Sequence, residues 1–198
     1  MKIPAIILLF SLCAPAFAQS RHDPLNTREV EQMRENAQDP KKRVDLLLSF
    51  ANERVMAIER LRTVAKPSPN DPDTLVDLLT DLAALIDELD DNLAMYNNHS
   101  EDLRKPLHRV LDAEAQFQKK LAELGESSSS TQRRRFAAAL EDAADSLAAS
   151  TESARAMLAD QIAKKGEAKE NTKQAHSDKG HQQEQNDPTG FDGTPPER

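Results

Sequence analysis

The sequence predicts an all-α protein: a helical bundle with long, antiparallel, heptad-patterned helices of coiled-coil type and a disordered C-terminal tail. Apolar residues recur at alternating spacings of four and three through the middle of the chain, which is typical of helices that pack along a seam. Aromatic residues make up only 4% of the 198 residues, tryptophan is absent and glycine occurs five times. This composition gives little support to a sheet or a concave apolar pocket.

Residues 1–18 have the layout of a secretory signal peptide. Lys2 gives a positive start, an apolar stretch follows, and Ala16-Phe17-Ala18 ends it with two small residues one position apart. The apolar stretch has roughly half of the ~20 residues that a membrane-spanning helix needs. We therefore predict cleavage after Ala18, export to the periplasm or extracellular medium of a bacterium, and no membrane span in the mature chain.

The single cysteine, Cys13, lies inside the predicted signal peptide. The mature chain is then expected to contain no thiol, no disulfide and no thiolate metal site. Acylation at Cys13 is the alternative, and the bulky Leu12 next to it disfavours a lipoprotein signal.

A first short helix is predicted at about 27–38 and a second at about 41–65. Asn26 is a good N-cap, and Glu29 stands at the third helical position, where a capping box places its acidic member. Asp39 caps the second helix and is followed by proline at the first helical position. Three prolines within residues 67–72 then prevent this helix from continuing.

The strongest pattern in the chain follows these prolines, and we call it the apolar seam. The seam residues are Leu75, Leu79, Leu82, Ile86, Leu89, Leu93, Tyr96, Leu103, Leu107, Val110, Phe117, Leu121 and Leu124. Polar Ser100 and Glu114 occupy the two remaining in-phase positions. Because a break would usually lose the phase, the pattern favours one helix over 73–124, kinked near Pro106. The alternative is two stacked helices, with Ser100 as N-cap of the second.

Two surfaces are candidates for an interaction with another protein. Leu78 and Leu85 widen the apolar stripe beyond a two-helix seam, so more than one helix must cover it, from the same chain or from another. Arg133, Arg134 and Arg135 open the last predicted helix and could contact an acidic lipid or an acidic partner, or could simply keep the start of the helix soluble.

The last predicted helix covers 131–163 and presents an alanine-rich apolar face. Gly125 and the serines that follow it form the turn before this helix. The apolar face comprises Phe136, Leu140, Ala143, Leu147, Ala154, Leu158 and Ile162. Over 164–198 the large aliphatic residues vanish, so this polar tail is predicted to be disordered.

The formal net charge is −8, and its signs are segregated along the chain. No lysine or arginine occurs between Pro67 and Leu103, whereas the helix before this segment is rich in both. Because the charges of the two helices are opposite in sign, we predict that they pair as an antiparallel hairpin. A solvated acidic face is the alternative, since exposed ion pairs contribute little. The negative net charge argues against nucleic acid as a partner.

Chemical sites are sparse. Glu114 is a candidate buried polar residue, which could act as an acid or base with a raised pKa, or could fix helix register or reach a basic side chain. His108 and Asp112 are predicted to form a surface pair, and His176 and His181 lie in the polar tail. We predict no catalytic residue, no metal ligand and no cofactor.

The sequence therefore favours an exported, non-catalytic helical protein that acts through protein–protein interaction in the bacterial cell envelope, with an unknown protein or with itself. One alternative is a periplasmic chaperone or stress-type protein that binds unfolded chains. A second alternative is a metal-responsive periplasmic protein.

Overall fold

The computed structural model describes residues 23–63 and 71–183, and this part of the chain is all-α, as predicted. It contains five helices and no strand. The helices are α1 (Thr27–Glu35), α2 (Pro40–Thr63), α3 (Asp71–Asn98), α4 (Arg104–Ser127) and α5 (Ser130–Gln183). The predicted signal peptide and residues 184–198 of the predicted tail lie outside the described residues.

Helices α2 to α5 form a four-helix bundle made of two antiparallel hairpins. The start of α2 contacts the end of α3, because Arg43 Nε donates to Asn92 Oδ1 over 3.3 Å, whereas later in α2 the Arg54 guanidinium reaches Asp81. Helices α4 and α5 form the second hairpin. Both α3 and α4 pack against α2 and α5, and among the described residues they do not pack against each other. Helices α3 and α4 therefore stand on the diagonal of the bundle.

The apolar seam is the core of this bundle, as predicted: every seam residue is buried. Phe50 on α2 is also buried, 3% exposed. The prediction for Ile162 was wrong, because its side chain is 55% exposed. The residue before it, Gln161, contacts the link between α3 and α4. Ile162 therefore lies at the level where α3 has ended and α4 begins, and neither α3 nor α4 covers its side chain.

The predicted single helix over 73–124 is also wrong, since the chain breaks between Asn98 and Arg104. Ser100 adopts a left-handed backbone conformation with φ of 62°, and it ends α3 instead of capping α4. Pro106 is the third residue of α4, in the first turn, where backbone N–H groups have no partner within the helix. The proline thus fits the start of a helix and causes no kink.

The side chain of Gln161 on α5 stabilises this break. Its Oε1 accepts from Leu103 N–H at 2.9 Å, and its Nε2 donates to the Glu101 carbonyl at 2.9 Å and to Asn97 Oδ1 at 3.0 Å. Backbone N–H and C=O groups that have no hydrogen bond within a helix need such partners. A single amide on α5 therefore contacts α3, the link and the start of α4.

The predicted hairpin of α2 and α3 is present, but its charges pair differently from the prediction. Arg54 and Asp81 join the two helices, whereas Asp87 and Asp91 are exposed. Other charged residues of α2 face α4. These pairs are Asp45 with Arg109 at 2.8 Å, Glu59 with Lys120 at 2.7 Å and Arg62 with Glu123 at 3.8 Å.

Helix α1 docks on the bundle through a buried ion pair. Its capping box is formed as predicted: Asn26 Oδ1 accepts from Glu29 N–H, and the Glu29 carboxylate accepts from Asn26 N–H. The same carboxylate accepts two bonds from Arg54, at 2.6 and 2.7 Å, and Arg54 also donates to the Pro24 carbonyl at 2.6 Å. Burial alone would raise the pKa of Glu29, but the bonds from Arg54 and Asn26 lower it below the usual range.

Two helix boundaries differ from the prediction. Helix α1 ends at Glu35 because Asn36 leaves the helix and its Nδ2 donates to the Gln32 carbonyl at 2.9 Å. Helix α5 continues to Gln183, well past the predicted end at Ala163. Lys, Gln, Glu and Ala together make up 12 of residues 164–183, and these residue types favour a helix even without aliphatic side chains to bury.

We predict that Arg54→Met lowers the free energy of unfolding by about 3–5 kcal/mol, because it leaves the buried Glu29 carboxylate without its cation. Urea unfolding measures the change. Arg60→Met, at an exposed position of the same helix, is the control and should change the free energy by less than about 0.5 kcal/mol. Equal effects of the two substitutions would contradict this account of α1 docking.

Candidate functional site

Glu114 is fully buried at the centre of the bundle, on the face of α4 that meets α5. Its two carboxyl oxygens accept hydrogen bonds from Ser150 Oγ at 2.6 Å and from Thr151 Oγ1 at 2.7 Å. Gln118, one turn further along α4, donates to Thr151 Oγ1 at 3.2 Å. Hydroxyl groups therefore satisfy Glu114, and the alternative in which its carboxylate bonds to a basic side chain is not what the structure shows.

A second carboxyl group, that of Asp90 on α3, approaches Glu114 across the bundle. Its Oδ1 is buried without a hydrogen-bond partner among the described residues, while Ser153 hydrogen-bonds to its side chain. Burial raises the pKa of Asp90, and the neighbouring Asp91 and Asp87 raise it further. The sequence pattern missed Asp90 because it lies one position beyond the seam residue Leu89.

The charge of Asp90 affects the protonation of Glu114. Burial is the largest cause that raises the pKa of Glu114, the negative charge of Asp90 adds to it, and the bonds from Ser150 and Thr151 oppose it. We call the set Asp90, Glu114, Ser150, Thr151 and Gln118 the polar layer. It joins α3, α4 and α5 at one level of the bundle.

The central carboxyl of the polar layer is closed off from solvent, because Glu114 is 0% exposed. Within residues 23–63 and 71–183, no three His, Cys, Asp or Glu side chains are grouped so that they could hold a metal ion. His108 and Asp112 are both exposed, as predicted for a surface pair. The side chains of His176 and His181 lie outside the described residues.

The prediction that Leu78 and Leu85 form an interaction surface was wrong in part. Leu85 is fully buried, and Leu78 is half-buried against the core. The stripe on α3 is wide because two helices of the same chain, α2 and α5, cover it. Leu78 and Leu85, which had suggested an external partner, therefore pack inside the bundle.

Arg133, Arg134 and Arg135 are exposed in the first turns of α5, as an interaction surface requires. Beside them, α4 and α5 leave an apolar groove of about 350 Å³, which we call the arginine-edged groove. Alanines and Gly125 leave this space open because they carry little or no side chain. Its lining is Gln118, Leu121, Ala122, Gly125, Arg133, Ala137, Leu140, Glu141 and Ala144.

No protein-family model matches the chain, and no curated protein or solved structure is significantly similar to it. None of the helices in the described part is long and apolar enough to cross a membrane.

We predict that Glu114→Gln makes the protein more stable at pH 7 and that the gain disappears near pH 4. A carboxyl whose pKa is raised by folding stabilises the fold fully below its unfolded pKa, and this contribution is lost as the pH rises through the raised value. The neutral amide can still bond to both hydroxyls and has no ionisation to suppress.

Urea unfolding at both pH values measures this effect, with the exposed Glu126→Gln as the control. The gain at pH 7 should exceed the roughly 0.5 kcal/mol range of exposed substitutions. A loss of stability at pH 7, or a gain equal at both pH values, would show that Glu114 is ionised and satisfied in the fold.

Proposed function

We propose that the chain is an exported, non-catalytic protein of the bacterial cell envelope that acts by binding another protein through its helical surface. The observation that carries this proposal is the arginine-edged groove. Apolar side chains of α4 and α5 are accessible there beside Arg133, and the next residue, Arg134, is also exposed, in a chain whose formal net charge is −8. Apolar area with a charged rim is the usual composition of a protein-binding surface.

The chemistry of the groove indicates the kind of segment that it binds. Small residues such as Ala122 and Ala137 allow a partner backbone or helix to approach closely. Arg133 at the edge can form two parallel hydrogen bonds with a carboxylate. A partner segment that alternates apolar and acidic residues satisfies both features.

A general chaperone is the alternative, and it requires a larger continuous apolar surface. Among the described residues, the exposed large hydrophobic side chains are Met56, Met95 and Ile162, on three different helices. This scatter favours a specific partner over a binder of unfolded chains.

Export is the part of the proposal that rests on residues 1–18. We predict that the protein produced in a bacterium is recovered outside the cytoplasm with Gln19 as its first residue, as measured by intact mass. Ala18→Asp should block processing, because the cleavage position needs a small residue. Recovery of the full-length chain in the cytoplasm would contradict export.

Binding is tested by a photo-crosslinking residue at Ala137, inside the groove, with Ala149 on an exposed face of the same helix as the control. We predict that one envelope protein is captured from Ala137 and not from Ala149, and that Arg133→Glu with Arg134→Glu reduces the capture by about tenfold or more. Many unrelated proteins captured equally would support the chaperone alternative. Equal capture from both positions would contradict the groove as the binding surface.

A further inference from the structure

A second concave surface lies at the other end of the bundle and is basic. It is a shallow cavity of about 1010 Å³ where α2 and α4 begin and where α5 passes them. We call it the basic groove. Its lining is Lys41, Asp45, Asp102, Arg104, Lys105, Pro106, His108, Arg109, Ile162 and Lys165.

The basic groove has an uncompensated positive charge. Its two acids are each paired with an arginine, Asp45 with Arg109 at 2.8 Å and Asp102 with Arg104. The ammonium groups of Lys41 and Lys105 make no hydrogen bond or ion pair with the described residues. Lys165 adds a third ammonium group, whose charge lowers the pKa of Asp102 together with the stronger effect of Arg104. The N-terminal ends of α2 and α4 add their positive partial charges at the same place.

One side chain in the groove is apolar and exposed. Ile162, 55% exposed, lies among these lysines. A ligand that fits the groove therefore has several negative charges around an apolar group.

The outer face of α3 has this composition. Asp87, Asp91 and Met95 follow one another at spacings of four, and all three are exposed, Met95 by 43%. Residues at this spacing lie on one side of a helix. Glu88 is exposed beside them, and no lysine or arginine occurs anywhere in α3. We call Asp87, Glu88, Asp91 and Met95 the acidic strip.

The acidic strip and the basic groove face away from each other. The groove is built on the outer side of α4, with α2 and α5 at its flanks, and α3 stands on the opposite corner of the bundle. The two surfaces of one molecule cannot meet. A symmetric pair of chains in which the same patch meets itself would bring like charges together.

We propose that copies of this chain associate front to back, with the acidic strip of one copy in the basic groove of the next and Met95 against Ile162. The contact is heterologous, so an open assembly keeps one free strip at one end and one free groove at the other unless a ring closes. Its opposite charges steer the encounter, and its stability falls as salt rises. The arginine-edged groove lies at the other end and takes no part, so this proposal and the one above can fail separately.

Sedimentation velocity tests the association. The purified protein should show a sedimentation coefficient that rises with concentration at about 0.05 M salt and that returns to the monomer value at about 0.5 M salt. A reversed-groove variant, Lys105→Glu with Lys165→Glu, and a reversed-strip variant, Asp87→Lys with Asp91→Lys, should each weaken association by about tenfold or more. Lys119→Glu, exposed on α4 outside the groove, is the matched control and should associate like the unchanged protein.

The decisive step is to mix the two variants, because each then offers the other a complementary surface. Association should return in the mixture to within about threefold of the unchanged protein, with both variants helical by circular dichroism. A mixture that stays monomeric, a reversed-groove variant that associates normally, or an unchanged protein that is monomeric at low salt would overturn the proposal.

Discussion

The link between α3 and α4 crosses the end of the bundle on the diagonal, and most of the structure depends on this crossing. It divides the apolar seam between two helices that do not pack on each other in the described residues, so α2 and α5 must each cover both. The hydrogen bonds of the Gln161 amide satisfy backbone groups that the break removes from helical pairing. The crossing also turns the outer faces of α3 and α4 in opposite directions, which separates the acidic strip from the basic groove.

Polar side chains join the helices at two places inside the bundle, around Arg54 and around Glu114. Arg54 joins α1, α2 and α3 through Glu29 and Asp81, so it needs to remain charged. The polar layer around Glu114 joins α3, α4 and α5 through hydroxyl donors, and burial with the neighbouring Asp90 raises the pKa of its central carboxyl. A buried group of this kind contributes little net stability and selects one register among similar leucine-rich packings, which is the role we assign to the polar layer.

The sequence predicted what periodicity and local chemistry control. The capping box at Asn26 and the inward positions of the seam follow from spacing alone, and both are confirmed. The break at Ser100 was hidden because Leu103 resumes the heptad phase after Tyr96, as it would in an unbroken helix. Its stabilising residue, Gln161, lies about sixty residues away in the chain. Glu114 was found by its phase, whereas its hydroxyl partners and Asp90 became evident only from the packing of three helices.

The distance between α3 and α4 is the most direct test of the crossing. Spin labels on cysteines at Thr80 and Ala122, both exposed, with Cys13 replaced by serine, give this distance by pulsed dipolar spectroscopy. In the bundle the two positions lie near the same level on diagonal helices, and the account predicts a separation under about 40 Å. A continuous helix through Ser100 would place the labels roughly 60 Å apart, and that result would contradict the account.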